Sequence, residues 1–417
     1  MNIFNAGVIM KAESLKIAEG VYWVGALHWD TRSFHGFSIP GTTYNCYLVF
    51  GDEKVALIDN VYEGMSSQLN ARIKDAFEKE GRDEVKIDVF IQNHSEMDHT
   101  LCLWETVEKF PEAEIYTNAK CSSFIKAQYH EFKNRELKTV KTGDTLDLGG
   151  KTLAFVQAPM LHWPDSMFTM YMEEGILFSN DAFGQHLCLS KRYVEDYDLS
   201  LVLNAAQKYY ANLVVLGSVS LIRKFDELED LGIIQKIKMI APCHGQIWKN
   251  PEPIIKAYKE WASGVCKDKI TLIYDTMHHS TQKMAHAIAE GIISEDVECV
   301  MYFMEEDGAD DVVNDVLDSK GIAVGAPTMM NKPFPRIGTT MYWLDCLNFK
   351  TTTSFKKALV FSSKGWAGGA VKKLQSELEN AGFDVIDSYE TTFVPDEDVL
   401  EECFKRGKAL AKSIKEE

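Results

Sequence analysis

Residues 89–100 read VFIQNHSEMDHT, a short apolar run that ends in a cluster of ionisable side chains. His94, Glu96 and Asp98 occupy alternate positions with His99 next, so an extended segment turns the first three to one face, and a turn at the strand end lets neighbouring side chains converge. Four such groups side by side repel one another and lose solvation unless a cation organises them. The run therefore reads as part of a metal site at the end of a buried strand.

Three more candidates follow apolar strands in the same way: His162 in APMLHWPDSM, Asp181 in LFSNDAFG and His244 in IAPCHGQIW. Sixty-two residues separate His99 from His162, 18 separate His162 from Asp181, and 62 separate Asp181 from His244. A lone histidine after a strand is more often a hydrogen-bonded structural residue than a ligand. Together with H-x-E-x-D-H, these residues describe a metal site.

The surrounding chain through residue 265 consists of short β-rich runs: GVYWVGAL, TTYNCYLVF, KVALID, VFIQN, EIYTN, LAFVQAPM, MFTMYM, GILFSND and LVVLGS. Helical stretches at 64–79 and 200–211 interrupt them, which suggests a layered, sheet-rich α/β domain over residues 1–265. From about Lys269 the rhythm changes to strict strand–helix alternation, with strands KITLIYD, VECVMYF, GIAVGAP, KALVFSS and FDVIDSY. Five nearly continuous apolar strands joined by helices specify a doubly wound parallel sheet over residues 266–417, with its ligand crevice beyond the strands' carboxyl ends.

Three loops fall in that crevice. Thr276, Met277, His278, His279, Ser280 and Thr281 precede a helix whose apolar Ala285, Ile288, Ala289 and Ile292 recur at helical spacing. Hydroxyls and free backbone N–H groups at a helix start form an anion site, and the run is similar to the flavodoxin phosphate loop [ST]-x-[TS]-G-x-[TS], with His279 in place of its glycine. A helix-capping turn is the plainer reading of this loop alone. Pro327, Thr328, Met329, Met330 and Asn331 follow the third strand, and Ser362, Ser363, Lys364, Gly365, Trp366, Ala367, Gly368 and Gly369 follow the fourth. The glycines allow close backbone approach, and Trp366 offers a ring to pack near an isoalloxazine. With no adenylate-binding fingerprint, FMN is expected rather than FAD.

Composition narrows the partners. Lys+Arg 44 against Asp+Glu 62 gives a net charge of -18, with no basic block, so nucleic acid is not expected to bind. No apolar run reaches the roughly 18–20 residues of a membrane span, and MNIFNAGVIMKAESLK lacks the features of a signal peptide, so a cytoplasmic protein is expected. The nine cysteines are scattered without a C-x-x-C pair, as reduced thiols are, and no rubredoxin-like or iron–sulfur module is encoded. Cys243 reads as a small buried hydrophobe, and His28, His130 and His186 read as structural.

The first half resembles a metallo-β-lactamase-type domain, and its ligand string resembles that of flavodiiron proteins. Hydrolases of that fold use H-x-H-x-D-H, whereas Glu96 stands in the second histidine's place; four histidines with three carboxylates favour iron over a zinc pair. The resemblance implies two Fe per subunit: His94, Glu96 and His162 on one, Asp98, His99 and His244 on the other, and Asp181 bridging. It places His35 (HWDTRSFHGF) and Tyr209 (KYYANL) in the oxidant pocket; a packed, hydrogen-bonded core role is the alternative for both.

The fold it implies is a metallo-β-lactamase-like αββα sandwich followed by a flavodoxin-like five-stranded sheet. The activity it implies is reduction of O2 to water with electrons passed through FMN. TTYN, APMLHWPDSMFT, NDAFGQH and DTMHHSTQKMAHA are similar to the short flavodiiron class, most of all to its methanogen members, in which a reduced deazaflavin, coenzyme F-420, is the donor. The family's head-to-tail homodimer, or a dimer of dimers, would bring one subunit's FMN to the other's iron. Alternatives are a rubredoxin or other redox protein as donor, nitric oxide as oxidant with N2O as product, a metallohydrolase, and a flavin electron carrier with a structural metal site.

Overall fold

In the strand Val89–Ile91 successive side chains separate to opposite faces, Val89 and Ile91 into one hydrophobic core and Phe90 into another. Both faces being buried explains why the run reads as continuously apolar. The computed structural model describes residues 11–347 and 356–416, which group into two units, 1–209 with 220–257 and 210–219 with 258–417.

The first unit holds a seven-stranded sheet in the order Leu15–Ala18, Val21–Trp23, Tyr47–Phe50, Val55–Ile58, Val89–Ile91, Glu114–Thr117, Lys138–Thr139. It is antiparallel as far as Val55–Ile58 and parallel beyond. A five-stranded sheet runs Thr145–Asp147, Thr152–Gln157, Met167–Tyr171, Ile176–Asn180, Met239–Pro242, and only its last pair is parallel. Tyr47, Ile58, Val89 and Ile91 of one sheet share a core with Phe155, Met167, Phe178 and Ala241 of the other. On the far side of the larger sheet, the helix Ser66–Lys79 packs Leu69, Ile73 and Phe77 against Leu48, Leu57 and Phe90, each such burial contributing about 1.5–3 kcal/mol. This is the metallo-β-lactamase-like sandwich, and its parallel strands all direct their carboxyl ends to one edge.

One expected strand is absent. LVVLGS (213–218) lies in a π-helical turn, Tyr210–Val214, a 3-10 turn, Val215–Gly217, and the first residue of the helix Ser218–Asp230. A short apolar run carries no periodicity that distinguishes strand from buried helix, and here it continues the helix Leu199–Tyr209.

In the second unit five strands pair in the order Glu298–Phe303, Lys267–Tyr274, Ser319–Gly325, Lys357–Lys364, Asp384–Thr392, all parallel. The chain order reverses between the first and third strands, the place where doubly wound sheets bind ligands. Ile270, Leu272, Ala323, Leu359 and Phe361 form a core with Met284, Ala285 and Ile288 of the helix Ser280–Ile293 and Leu410 and Ile414 of the helix Glu397–Lys415. Those two helices approach closely because Gly291 and Gly407 lie in their seam, where a Cβ would sit 2.1 Å from the carbonyl oxygens of Phe404 and Ile288 respectively. Among the described residues no helix is long and apolar enough to cross a membrane. Gly407→Ala should therefore destabilise this unit by about 1–3 kcal/mol through overpacking, measured as a lower urea midpoint at unchanged m-value.

Candidate functional site

After Ile91 the chain bends through a 3-10 turn, Met97–His99, so Asp98 and His99 reach the site from a turn rather than an extended segment. Gln92 fixes the loop's shape, its Nε2 donating to the carbonyls of His94 (2.7 Å) and His99 (3.2 Å). Asp59, at the end of the neighbouring parallel strand, accepts from Asn93 N at 2.9 Å and Asn93 Nδ2 at 3.0 Å. His162, Asp181 and His244 arrive from the ends of Thr152–Gln157, Ile176–Asn180 and Met239–Pro242.

All seven expected ligands converge, and they do so as two sets. Glu96 Oε2 lies 3.3 Å from both His94 Nε2 and His162 Nε2. Asp98 Oδ2 lies 3.0 Å from both His99 Nε2 and His244 Nε2. Asp181 stands between, Oδ2 at 3.7 Å from His94 and His162, and Oδ1 at 3.3 and 3.5 Å from His99 and His244. Both oxygens of Asp98, Asp181 Oδ2 and the Nε2 atoms of His162 and His244 are buried without a hydrogen-bond partner, a costly state that a bound cation relieves.

Burial alone would push His94 down, but hydrogen bonds to Asp165 and Glu96 lift it to about 10. Burial would raise Glu96, yet His162 and His94 hold it down at about 2. Asp98 and Asp181 also lie below their ordinary values, against burial, because His99 and its neighbours face them. The carboxylates thus stay ionised and favour the protonated forms of His94 and His99, and metal binding replaces such protons. Imidazole nitrogens with carboxylate oxygens suit iron.

The atoms behind the ligands escaped sequence reasoning. His94 Nδ1 lies 3.1 Å from Asp165 Oδ1, and His244 Nδ1 lies 2.7 Å from the Thr43 carbonyl oxygen. Asn45 Nδ2 donates to the carbonyls of Pro242 and Gly245 on either side of His244. Asp165 and the Thr43–Asn45 pair lie inside APMLHWPDSM and TTYN, so position in those runs was their only signal.

His35 and Tyr209 both reach the cluster. His35 Nε2 is 2.8 Å from Glu96 Oε1, and the Tyr209 hydroxyl donates to Asp181 Oδ1 at 2.9 Å. His35 and Gly36 join the two-residue strands Ser33–Phe34 and Phe37–Ser38, with φ of +50° and +87° as a type I′ turn requires. His186 is buried beside them, its ring centroid 4.7 Å from that of His244 and 5.0 Å from that of Tyr209. Cys243 places its thiol 3.3 Å from Asp181 Oδ1 and 3.6 Å from His99 Nε2. Proximity alone groups Cys243 with His99, Asp181 and His244. Asp98 fits that set better, because its Oδ2 lies 3.0 Å from both imidazoles, whereas the Cys243 thiol stands 3.6 Å from that of His99.

In the second unit the three loops lie at the carboxyl ends of Lys267–Tyr274, Ser319–Gly325 and Lys357–Lys364. Thr281 Oγ1 meets Ser363 Oγ at 2.9 Å, and Ala370 N donates to Thr328 Oγ1 at 3.3 Å, which ties the first and second loops to the third. His279 stands at the N-cap of the helix Ser280–Ile293 with φ +64°, the left-handed conformation that favours glycine. The buried Thr276 hydroxyl has no partner, and together with the free N–H groups of the helix start it suits a phosphate. Trp366 is 96% exposed and Met330 85% exposed at the rim of these loops. Asp275, unremarked in the sequence, caps Thr276 N at 2.8 Å and faces Arg336 at 3.3 Å.

Residues 42–245 match the family model described as ODP family beta lactamase, and residues 272–407 match that described as Flavodoxin. The chain is 54% identical to the coenzyme F420H2 oxidase of Methanocaldococcus jannaschii over 96% of this chain and 97% of that one. Its structure is similar to the rubredoxin oxygen:oxidoreductase of Desulfovibrio gigas, with a TM-score of 0.90 and 30% identity over 97% of this chain and 99% of that one. It is also similar to the flavodiiron protein of Giardia intestinalis, with a TM-score of 0.89 and 30% identity over 97% of each chain.

Stripping metal with a chelator should lower the melting temperature of the metal-bearing unit by roughly 5 °C or more, each kcal/mol being about 2–4 °C in a domain of this size. An unchanged calorimetric transition would mean that the seven residues hold no metal.

Proposed function

The chain belongs to the flavodiiron family of oxidoreductases, and from that premise we propose that it reduces O2 to water at a di-iron centre with electrons passed through FMN from reduced coenzyme F-420. The observation that carries this reading is the division of Asp181, whose two oxygens face two separate histidine pairs, each pair completed by its own carboxylate. A hydrolytic zinc pair of this fold would place histidine where Glu96 stands. When bound, two ferrous ions and a reduced flavin together supply the four electrons that O2 needs to become water.

The chain's own residues orient and protonate. Tyr209 holds its hydroxyl proton on Asp181, and His35 shares a proton with Glu96, so two proton-bearing groups border the place where a small oxidant would sit. Phe34 and Phe37, whose rings lie 4.8 and 5.6 Å from that of His186, wall the pocket with apolar surface that excludes water. In the flavin unit Thr276, Thr281, Ser363 and the helix start would hold the FMN phosphate, the Thr328–Asn331 and Ser362–Gly369 loops would contact the flavin, and Trp366 would offer its exposed indole to the donor.

The deazaflavin donor is supported by the 54% identity to a coenzyme F420H2 oxidase. Rubredoxin as donor is the second reading, supported by the likeness to the Desulfovibrio gigas enzyme. A head-to-tail homodimer acting in the cytoplasm completes the proposal, in keeping with nine free cysteines.

Anaerobic stopped-flow mixing tests it. The reduced enzyme should be reoxidised faster by O2 than by nitric oxide, and the oxidised enzyme should be reduced faster by reduced F-420 than by reduced rubredoxin; reversal of either order replaces that half of the proposal. Asp181→Asn should abolish reoxidation while FMN is still reduced. Thr281→Ala should release FMN on gel filtration with iron content unchanged, and loss of iron instead would sink the division of labour between the two units.

A further inference from the structure

We infer that the two metal positions are inequivalent, and that Asp165 is the positioning residue that makes the His94 position hold its iron more tightly than the His99/His244 position. The inference rests on the di-iron reading above. In type, the ligands of the two positions match: each has two imidazoles, one carboxylate of its own and one oxygen of Asp181. A difference between them must come from what stands behind those ligands.

Behind His94 stands an ionised carboxylate. Asp165 is 1% exposed, and its two oxygens lie 3.1 and 3.2 Å from His94 Nδ1. Ser95 holds it in place, donating to Oδ2 from its backbone N at 2.8 Å and its hydroxyl at 2.7 Å, while Asn118 Nδ2 donates to the Asp165 carbonyl at 2.6 Å. His94 Nδ1, Ser95 N and Ser95 Oγ can all donate to it, the set of partners an ionised carboxylate accepts. A histidine ligating through Nε2 and donating its Nδ1 proton to such a group is fixed in tautomer and ring orientation, and becomes a more basic ligand.

The other position has no such support. His244 Nδ1 donates to a neutral carbonyl, that of Thr43, at 2.7 Å. The Nδ1 of His99 is buried with no acceptor among the described residues. His35, on the second oxygen of Glu96, fixes that carboxylate without adding a negative charge. Among the described residues, Asp165 is therefore the carboxylate that meets the Nδ1 of one of these histidines; Asp59, also buried and on the His99 side, turns its oxygens to Asn93 instead.

The test follows iron rather than turnover. The FMN-loaded enzyme, filled with 57Fe, is titrated anaerobically with a chelator while Mössbauer spectra and iron content are recorded. Wild type should lose one iron before the other, and a crystal of the half-depleted protein should keep its anomalous iron peak between His94 and His162. Asp165→Asn, which preserves shape but removes the charge, should weaken that position about 10- to 100-fold and erase or invert the order. Ser95→Ala, which keeps the charge, should preserve the order, and retained FMN reports an intact second unit in both variants.

Simultaneous loss of both irons from the wild type, a residual peak at His99 and His244, or an order unmoved by Asp165→Asn would each overturn the inference. Protein that never takes up two irons would overturn the di-iron reading instead.

Discussion

Everything in the first unit is arranged so that three carboxylates and four imidazoles can occupy one buried volume. Left alone, such a cluster is unfavourable: carboxylates resist burial and one another, and several of their oxygens have no hydrogen-bond partner. The fold accepts this because parallel strands of two facing sheets end at one edge, where backbone groups, Gln92, Asn93, Asn45 and Asp165 hold the ligand loops from behind. The cation the cluster needs becomes part of the stability of the sandwich.

The replacement of a histidine by Glu96 changes the chemistry of this edge without changing its architecture. A carboxylate at that position is a harder donor, and it can also receive a second group on its free oxygen, which is where His35 sits. The same substitution thus sets the metal preference and recruits a proton-bearing neighbour.

That these seven residues come together was legible in the sequence because each follows an apolar strand, a pattern that survives without knowledge of how the strands pair. The five-stranded sheet was legible for the same reason. What stayed hidden depended on tertiary position. LVVLGS has the composition of a strand but continues a helix, since so short an apolar run carries no period of its own. Asp165 lies three residues from a ligand yet serves a different histidine, 71 residues away. His279 looked like a departure from a glycine-based loop, and the structure shows the histidine in the left-handed backbone conformation that glycine adopts most readily.

The two-residue turn at His35 and Gly36 leaves that histidine no slack. A longer loop could lose or gain a residue and still reach inward; this one is already the shortest connection two antiparallel strands allow, and its first residue holds a positive φ at some cost in strain. The spacing between His35 and Glu96 is therefore set by chain length rather than by side-chain preference. An insertion here would retract the pocket wall even if every residue were retained, so along this stretch the number of residues is as much a functional property as their identity.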